Sequence, residues 1–169
     1  VNNAAEGTLT FPTLGVGANY TSHDGLTGVS AAGLSFTNTT GGYKVLGNGL
    51  SLGAGGIADT PGGTSSQIQT PLSLTANQNW TVGGGTGVAY DSLSVENTVN
   101  GAFNVTVPFA PLSGGGTSGD LYVTSAMEVG PVTVTGSGNL HIGGPGGNGS
   151  VDGGSSVGGG AVNSRAKPI

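Results

Sequence analysis

Residues 34–57 read LSFTNTTGGYKVLGNGLSLGAGGI. The stretch contains two copies of a short unit, leucine, serine and an apolar residue, at Leu34–Phe36 and Leu50–Leu52. Glycine-rich segments of the kind found in turns, Gly41-Gly42 and Gly47-Asn48-Gly49, lie between them. Alternation of apolar and hydroxyl side chains places one side of an extended strand in a core and the other in water. The stretch therefore predicts short β-strands joined by turns.

The unit recurs further along the chain, at Leu72–Leu74 and Leu93–Val95. Steps of about 20 residues between copies are a sign of stacked repeats, each of which is too small to bury its own apolar side. No window shows the apolar spacing of a helix. We therefore predict an all-β fold, a β-solenoid or β-helix with glycine-rich turns. Its predicted core is Leu34, Phe36, Leu50, Leu52, Leu72, Leu74, Leu93 and Val95.

A β-sandwich is the alternative fold, because short strands separated by glycine-rich turns also describe that architecture. The spacing shortens from residue 103 onward, and the second half of the chain favours the sandwich for that reason. A sandwich subunit could donate a terminal strand to a neighbour. Residues Gly7–Val16 are the candidate donor segment.

Part of the chain resembles a known repeat. Leu34–Ile57, Gln67–Gln69, Leu72–Trp80 and Val82 together resemble the autotransporter-associated β-strand repeat. The resemblance covers residues 33–82 well and residues 90–107 loosely, and residues 108–169 depart from it. Repeats of this family occur in large bacterial surface proteins and form parallel β-helical stalks. The resemblance thus implies a β-helical stalk on a bacterial cell surface.

The chain carries little charge. Only 7% of its 169 residues are charged, and the net charge is −5. The three basic residues are Lys44, Arg165 and Lys167. A nucleic-acid partner is excluded because it requires clustered basic residues, and no apolar run is long enough to insert into a membrane. The chain begins at Val1, which indicates a removed signal peptide and hence an extracellular, secreted protein.

The composition changes near residue 142. We expect residues 1–142 to form a single all-β domain, and residues 143–169 to form a glycine-rich C-terminal tail. Ordering that much glycine costs backbone entropy. We therefore expect partner subunits to hold the tail.

No catalytic, cofactor-binding or metal-binding residue is predicted. His23-Asp24-Gly25 is interpreted as a turn, since no nucleophile motif accompanies the pair. His141 lies between Leu140 and Ile142, so alternation places it on the solvent side of a strand. Residues 146–152 resemble a calcium-binding glycine–aspartate repeat, but Asp152 falls one place late and the motif occurs once. The sequence indicates a non-enzymatic protein without a cofactor.

Surface glycans are a candidate partner. An aromatic sugar-binding platform could use Tyr20, Tyr43, Trp80, Tyr90 and Tyr122, although large rings more often fill cores and cap β-helix ends. Glycosylation sequons begin at Asn19, Asn38, Asn79, Asn104 and Asn148.

Lysine and proline, which usually protect sheet edges, are nearly missing from the strands, and no polar cap is evident. The sequence therefore favours a structural protein that polymerises with its own copies by β-strand addition, as the subunit of a cell-surface filament or layer. Two alternatives remain open: a stalk segment of an autotransporter adhesin passenger, and a glycan-binding module.

Overall fold

The computed structural model describes residues 7–15, 20–39, 42–60, 65–83, 92–110, 119–136 and 138–142, and the backbone of 151–152, 156–158 and 161–164. Strands and turns account for these residues, and no described segment is a helix that could cross a membrane. The strands are β1 (Leu9–Phe11), β2 (Thr21–Asp24), β3 (Val29–Phe36), β4 (Lys44–Gly47), β5 (Leu50–Asp59), β6 (Ser65–Ile68), β7 (Leu72–Leu74), β8 (Gln78–Gly83), β9 (Ser92–Val95), β10 (Val99–Gly101), β11 (Val105–Ala110), β12 (Asp120–Val123), β13 (Met127–Val129), β14 (Val132–Thr135), β15 (Asn139–Ile142), β16 (Val151–Asp152), β17 (Ser156–Gly158) and β18 (Ala161–Ser164).

The strands stack into a parallel β-solenoid with three faces. Face 1 contains the first halves of β3 and β5, followed by β7, β10, β13 and β16. Face 2 contains β1, the second halves of β3 and β5, and then β8, β11, β14 and β17. Face 3 contains β2, β4, β6, β9, β12, β15 and β18. The all-β solenoid prediction is confirmed.

The alternative β-sandwich does not form. Beyond residue 103, β11 pairs in parallel with β14 and β12 pairs in parallel with β15, as the earlier strands do. The spacing between apolar strand units shortens in this region because the three strands of one solenoid coil follow each other through very short connections. In the segment that was a candidate donor strand, β1 pairs with β3 of its own chain. Val16, the last residue of that segment, lies outside the described residues.

The repeat has a different register from the one that the leucine–serine units predict. Leu50 pairs with Leu72 on face 1, as expected, but Leu34 pairs with Ile57 on face 2 and Leu93 with Leu121 on face 3. The full coil of the solenoid from Asn79 to its register partner Thr106 is also longer than the coil from Leu50 to its partner Leu72. All three faces bury alternate residues, and units from different faces therefore look alike in the sequence.

The core runs through the middle of the solenoid as inward-facing ladders of apolar side chains. On face 2, Leu9, Leu34, Ile57 and Trp80 are successive partners in one ladder. All eight predicted core residues are buried, with at most 5% of the surface of any of them exposed. Full burial of such a side chain contributes about 1.5–3 kcal/mol. Stacked ladders are thus the main source of stability.

Glycines let the chain turn tightly between faces 1 and 2. Gly56 has a φ of +61°, and a Cβ atom there would lie 2.1 Å from the carbonyl oxygen of Asn79. A Cβ atom on Gly33 would lie 2.9 Å from the carbonyl carbon of Gly55. Adjacent rungs therefore approach each other at this corner more closely than any side chain allows.

A buried amide ties the same corner together. The Gln78 Nε2 group donates to the carbonyl oxygens of Leu52, at 2.7 Å, and Gly53, at 2.9 Å. The Trp80 Nε1 group donates to Gln78 Oε1 at 2.8 Å. Because buried polar groups are costly without partners, this arrangement fixes both side chains in the core.

The backbone of the three strands beyond residue 142 continues the three faces. Strand β16 pairs with β13, β17 with β14, and β18 with β15, all in parallel. Most of the expected glycine-rich tail lies outside the described residues. A domain that ends at residue 142 and a tail held by partner subunits both stay predictions.

Candidate functional site

At the N-terminal end of the solenoid, the described strands have a described partner strand on one side only. Among the described residues, β1 pairs with β3, β2 pairs with β4, and Val29–Ala31 pairs with β5. We call β1, β2 and Val29–Ala31 the N-terminal edge. It brings one strand margin from each of the three faces to the same end of the molecule.

The hydrogen bonds show which backbone groups of this edge point away from the solenoid. The Thr37 N–H donates to the Phe11 carbonyl at 3.0 Å, and the Lys44 N–H donates to the Tyr20 carbonyl at 2.8 Å. In a parallel pair, successive residues direct their N–H and C=O groups to opposite sides of the strand. The backbone groups of Thr10 and His23 therefore point away from the second rung, toward the open end.

An apolar cavity opens between the strands of the N-terminal edge. It has a volume of about 180 Å³, and its apolar wall includes Leu9, Phe11, Leu26, Val29, Val45 and Leu50. Leu9 is 39% exposed and Leu26 is 59% exposed. They are the exposed large hydrophobic residues in the described part of the chain. Among the described residues, apolar side chains of the interior thus border this opening.

Aromatic rings pack directly beneath the opening. The Phe11 and Phe36 rings are stacked with centroids 4.7 Å apart, and Tyr43 meets Phe11 edge-on at 5.1 Å. The Tyr43 hydroxyl donates to the Pro12 carbonyl at 2.8 Å. Burial, with a smaller contribution from neighbouring Tyr20, raises the pKa of Tyr43 above its ordinary value of 10.0.

His23 and Asp24 are the last two residues of β2, and the predicted turn begins at Asp24 rather than at His23. The Leu26 N–H donates to Asp24 Oδ1 at 2.9 Å, which is the geometry of an aspartate-stabilised turn. His23 is exposed at the rim of the cavity. The pair shapes the N-terminal edge and shows no arrangement typical of a catalytic group.

His141 lies on the outer side of β15, as the alternation predicts, and belongs to a polar cluster. Its ring stacks on Tyr122 with centroids 4.5 Å apart, and its Nε2 atom lies 3.5 Å from Asp120 Oδ2. The Tyr122 hydroxyl donates to Asp120 Oδ2 at 3.0 Å, and Asn139 Nδ2 donates to Asp120 Oδ1 at 2.9 Å. Nothing along the chain indicates this cluster in advance, because its residues meet only once β12 and β15 pair.

Metal-ligand residues do not converge in the described part of the chain, where no group of three or more histidines, cysteines or acidic residues is close enough to hold an ion. The calcium-like motif at residues 146–152 lies outside the described residues, except for the backbone of Val151 and Asp152.

The four described aromatic residues of the possible sugar platform do not gather on one surface. Trp80 is 0% exposed and Tyr43 is 5% exposed, so neither ring can stack on a sugar. Tyr20, which precedes β2, and Tyr122 on β12 are half-buried, and Tyr90 lies outside the described residues. Trp80 and Tyr43 fill the core instead.

Comparison with known proteins gives no further lead. No protein-family model, no curated protein and no solved structure matches this chain. Its function must therefore be argued from the N-terminal edge and from the solenoid itself.

Proposed function

We propose that the protein is a non-enzymatic, extracellular structural subunit that assembles end to end with its own copies into a cell-surface filament or layer. The N-terminal edge of one copy receives the C-terminal strands of the next. Because the contact joins two different ends, it does not close on itself, and repeated addition builds a filament.

The one-sided strands of the N-terminal edge carry this proposal. A second copy stacked in register would supply hydrogen-bond partners to the outward backbone groups of Thr10 and His23. It would also cover Leu9 and Leu26, whose exposed apolar surface otherwise remains in contact with water. Strand addition and apolar burial thus favour the same contact.

The surface charge does little to oppose such a contact. Natural sheet edges are commonly protected by lysine, proline or inward-pointing charges. The N-terminal edge contains neither lysine nor proline, and Asp24 is its one acidic residue. With 7% charged residues overall, the chain repels its own copies weakly.

A pair of double variants tests the proposal. Proline at positions 10 and 23 (Thr10→Pro with His23→Pro) removes two outward N–H donors that no described strand uses, whereas alanine at both positions keeps those donors. We expect the natural chain and the alanine variant to form filaments in electron micrographs and to sediment faster as concentration rises. The proline variant should remain monomeric with an unchanged circular dichroism spectrum.

Two results would contradict the proposal. One is a natural chain that stays a monodisperse monomer at every concentration. The other is a folded proline variant that assembles as readily as the alanine variant, because the outward N–H groups would then be irrelevant.

A stalk segment of an adhesin passenger is the second candidate, and the same one-sided strands favour it. In that case further rungs of one longer polypeptide would cover the N-terminal edge. The resemblance of residues 33–82 to autotransporter repeats supports this candidate. A parent gene with more rungs and a membrane barrel, together with a strictly monomeric isolated chain, would distinguish it from a self-assembling subunit.

A further inference from the structure

A polar hollow lies on the flank of the solenoid, away from the N-terminal edge. It is found where β8 and β11 leave the corner between faces 1 and 2, and its volume is about 280 Å³. Its lining consists of Ala54, Asn77, Gln78, Asn79, Asn104 and Thr106.

Small residues on both sides create the hollow. The rung before it turns this corner through Gly53-Ala54-Gly55-Gly56, where only one methyl group projects. The rung after it passes the same corner at Gly130, between β13 and β14, and a Cβ atom there would lie 2.8 Å from Asn104 Oδ1. The hollow is therefore bordered on one side by Ala54 and the glycines around it, and on the other side Asn104 faces a glycine.

The pairing of β8 with β11 brings the polar side chains together. Asn79 is the register partner of Thr106, and Asn77 precedes β8 as Asn104 precedes β11. The Asn104 backbone N–H donates to Asn77 Oδ1 at 2.9 Å, which orients the Asn77 amide and leaves its Nδ2 group available. Asn77, Asn79 and Asn104 are all exposed to solvent.

Most of these side chains have unused hydrogen-bonding capacity. Within the described residues, the side chains of Asn79, Asn104 and Thr106 make no hydrogen bond. Gln78 differs, because its amide is already engaged by Leu52, Gly53 and Trp80. Gln78 therefore serves the fold, whereas the three asparagines and Thr106 are available to a ligand.

We propose that this hollow binds one ring of a neutral sugar. An asparagine amide presents a donor and an acceptor side by side, and two adjacent sugar hydroxyls present the complementary pair. No charged residue lines the hollow, and the ligand is therefore an uncharged sugar rather than a phosphate or a uronic acid. The volume lies just below the roughly 300–1,000 Å³ typical of small-molecule pockets, which limits the occupant to about one ring.

The site does not depend on end-to-end assembly. Its residues are Ala54 of β5, residues of β8 and β11, and the asparagines that precede those two strands, and none of them belongs to the N-terminal edge. A monomer and a filament would both present it. Binding and assembly can therefore fail or succeed independently.

Nuclear magnetic resonance of the ¹⁵N-labelled chain tests the site, with glucose, galactose, mannose and N-acetylglucosamine as the neutral probes and glucuronate as the charged one. The protein is made in a host without N-glycosylation, because Asn79 and Asn104 begin sequons. We expect at least one neutral sugar to shift the side-chain amide signals of Asn79 and Asn104. Glucuronate should leave them unchanged.

Single variants assign the binding to the hollow. Asn79→Ala and Asn104→Ala should each weaken the binding about fivefold, the loss expected for one net hydrogen bond. Asn100→Ala is the matched control, because Asn100 is exposed on β10 but outside the hollow, and it should leave the affinity unchanged. The proposal is overturned if no neutral sugar shifts the amide signals, or if the control weakens binding as much as the two hollow variants.

Discussion

Leu9 and Trp80 occupy the same inward ladder of face 2, three strands apart, in segments with the same alternation of apolar and polar residues. Leu9 is 39% exposed, whereas Trp80 is 0% exposed. Leu9 has a described neighbour on one side of its strand, while Trp80 has β5 below it and β11 above it. The difference teaches that burial in this fold is supplied by adjacent rungs, and that the alternating pattern alone does not provide it.

Truncating the edge residue and the interior residue of that ladder tests the comparison with the largest expected effect. We expect Trp80→Ala to lower the free energy of unfolding by about 3–5 kcal/mol, because it leaves a cavity and removes the partner of Gln78. Leu9→Ala should cost less than about 1 kcal/mol, since much of its surface is already in water. Urea unfolding followed by circular dichroism measures both. Equal losses would show that the edge is as well packed as the interior.

Glycine substitution extends the comparison from side chains to the backbone. Gly56→Ala in the interior should cost about 2–4 kcal/mol, because alanine disfavours the left-handed conformation and its methyl group meets the Asn79 carbonyl. Gly25→Ala, in the turn that leads from β2 to β3, should change stability by less than about 1 kcal/mol, since nothing lies within 4 Å of its added Cβ atom. Thermal unfolding of the two variants compares them directly. A large loss at Gly25 would mean that the turn is far more constrained than its open surroundings indicate.

Raising the pH into the alkaline range should have the smallest effect on stability. That effect is local to Tyr43, which lies at the boundary between the N-terminal edge and the interior. Burial raises the pKa of Tyr43, so the folded chain keeps the phenolic proton to a higher pH than the unfolded chain. The stability that depends on a neutral Tyr43 is fully present below the ordinary pKa of 10.0. It is lost as the pH rises from there through the raised pKa of the folded chain.

Denaturant midpoints measured on both sides of pH 10 test the Tyr43 prediction. Tyr43→Phe should lose about 0.5–1.5 kcal/mol at neutral pH, through the missing bond to Pro12, and should flatten the alkaline decline. Tyr122→Phe on the outer surface is the control and should keep that decline. An unchanged decline in Tyr43→Phe would assign the alkaline sensitivity to other groups.

The sequence was sufficient for the fold class and for the core. Alternation and glycine-rich turns predicted strands, and all eight predicted core residues are buried. The stacking register could not be read in the same way. Leu34, Leu50 and Leu93 look equivalent along the chain, but they belong to three faces, because pairing is decided by turn lengths and by contacts between distant residues.

The candidate sites were predictable only in part. His23-Asp24 was interpreted as a turn from local sequence alone, and Asp24 accepts a hydrogen bond from Leu26 N–H there. Leu26 lies only two residues further on but carries no local signal of its exposure at the cavity rim. The hollow residues Asn77 and Asn104 are 27 positions apart and become neighbours only through the pairing of β8 with β11. Sites formed across rungs are therefore hidden until the register is known.

The polypeptide runs across the long axis of the solenoid, so the hydrogen bonds between rungs lie along that axis. A mechanical load applied between the two ends therefore pulls on them directly and detaches rungs in succession, starting from an end. The coil between Asn79 and Thr106 would extend to about 90 Å when pulled straight, against a stacked height of about 4.8 Å. Each released coil lengthens the molecule by many times the stacked height of that coil. A chain of such coils under a sudden load would therefore extend by unfolding before a covalent bond breaks.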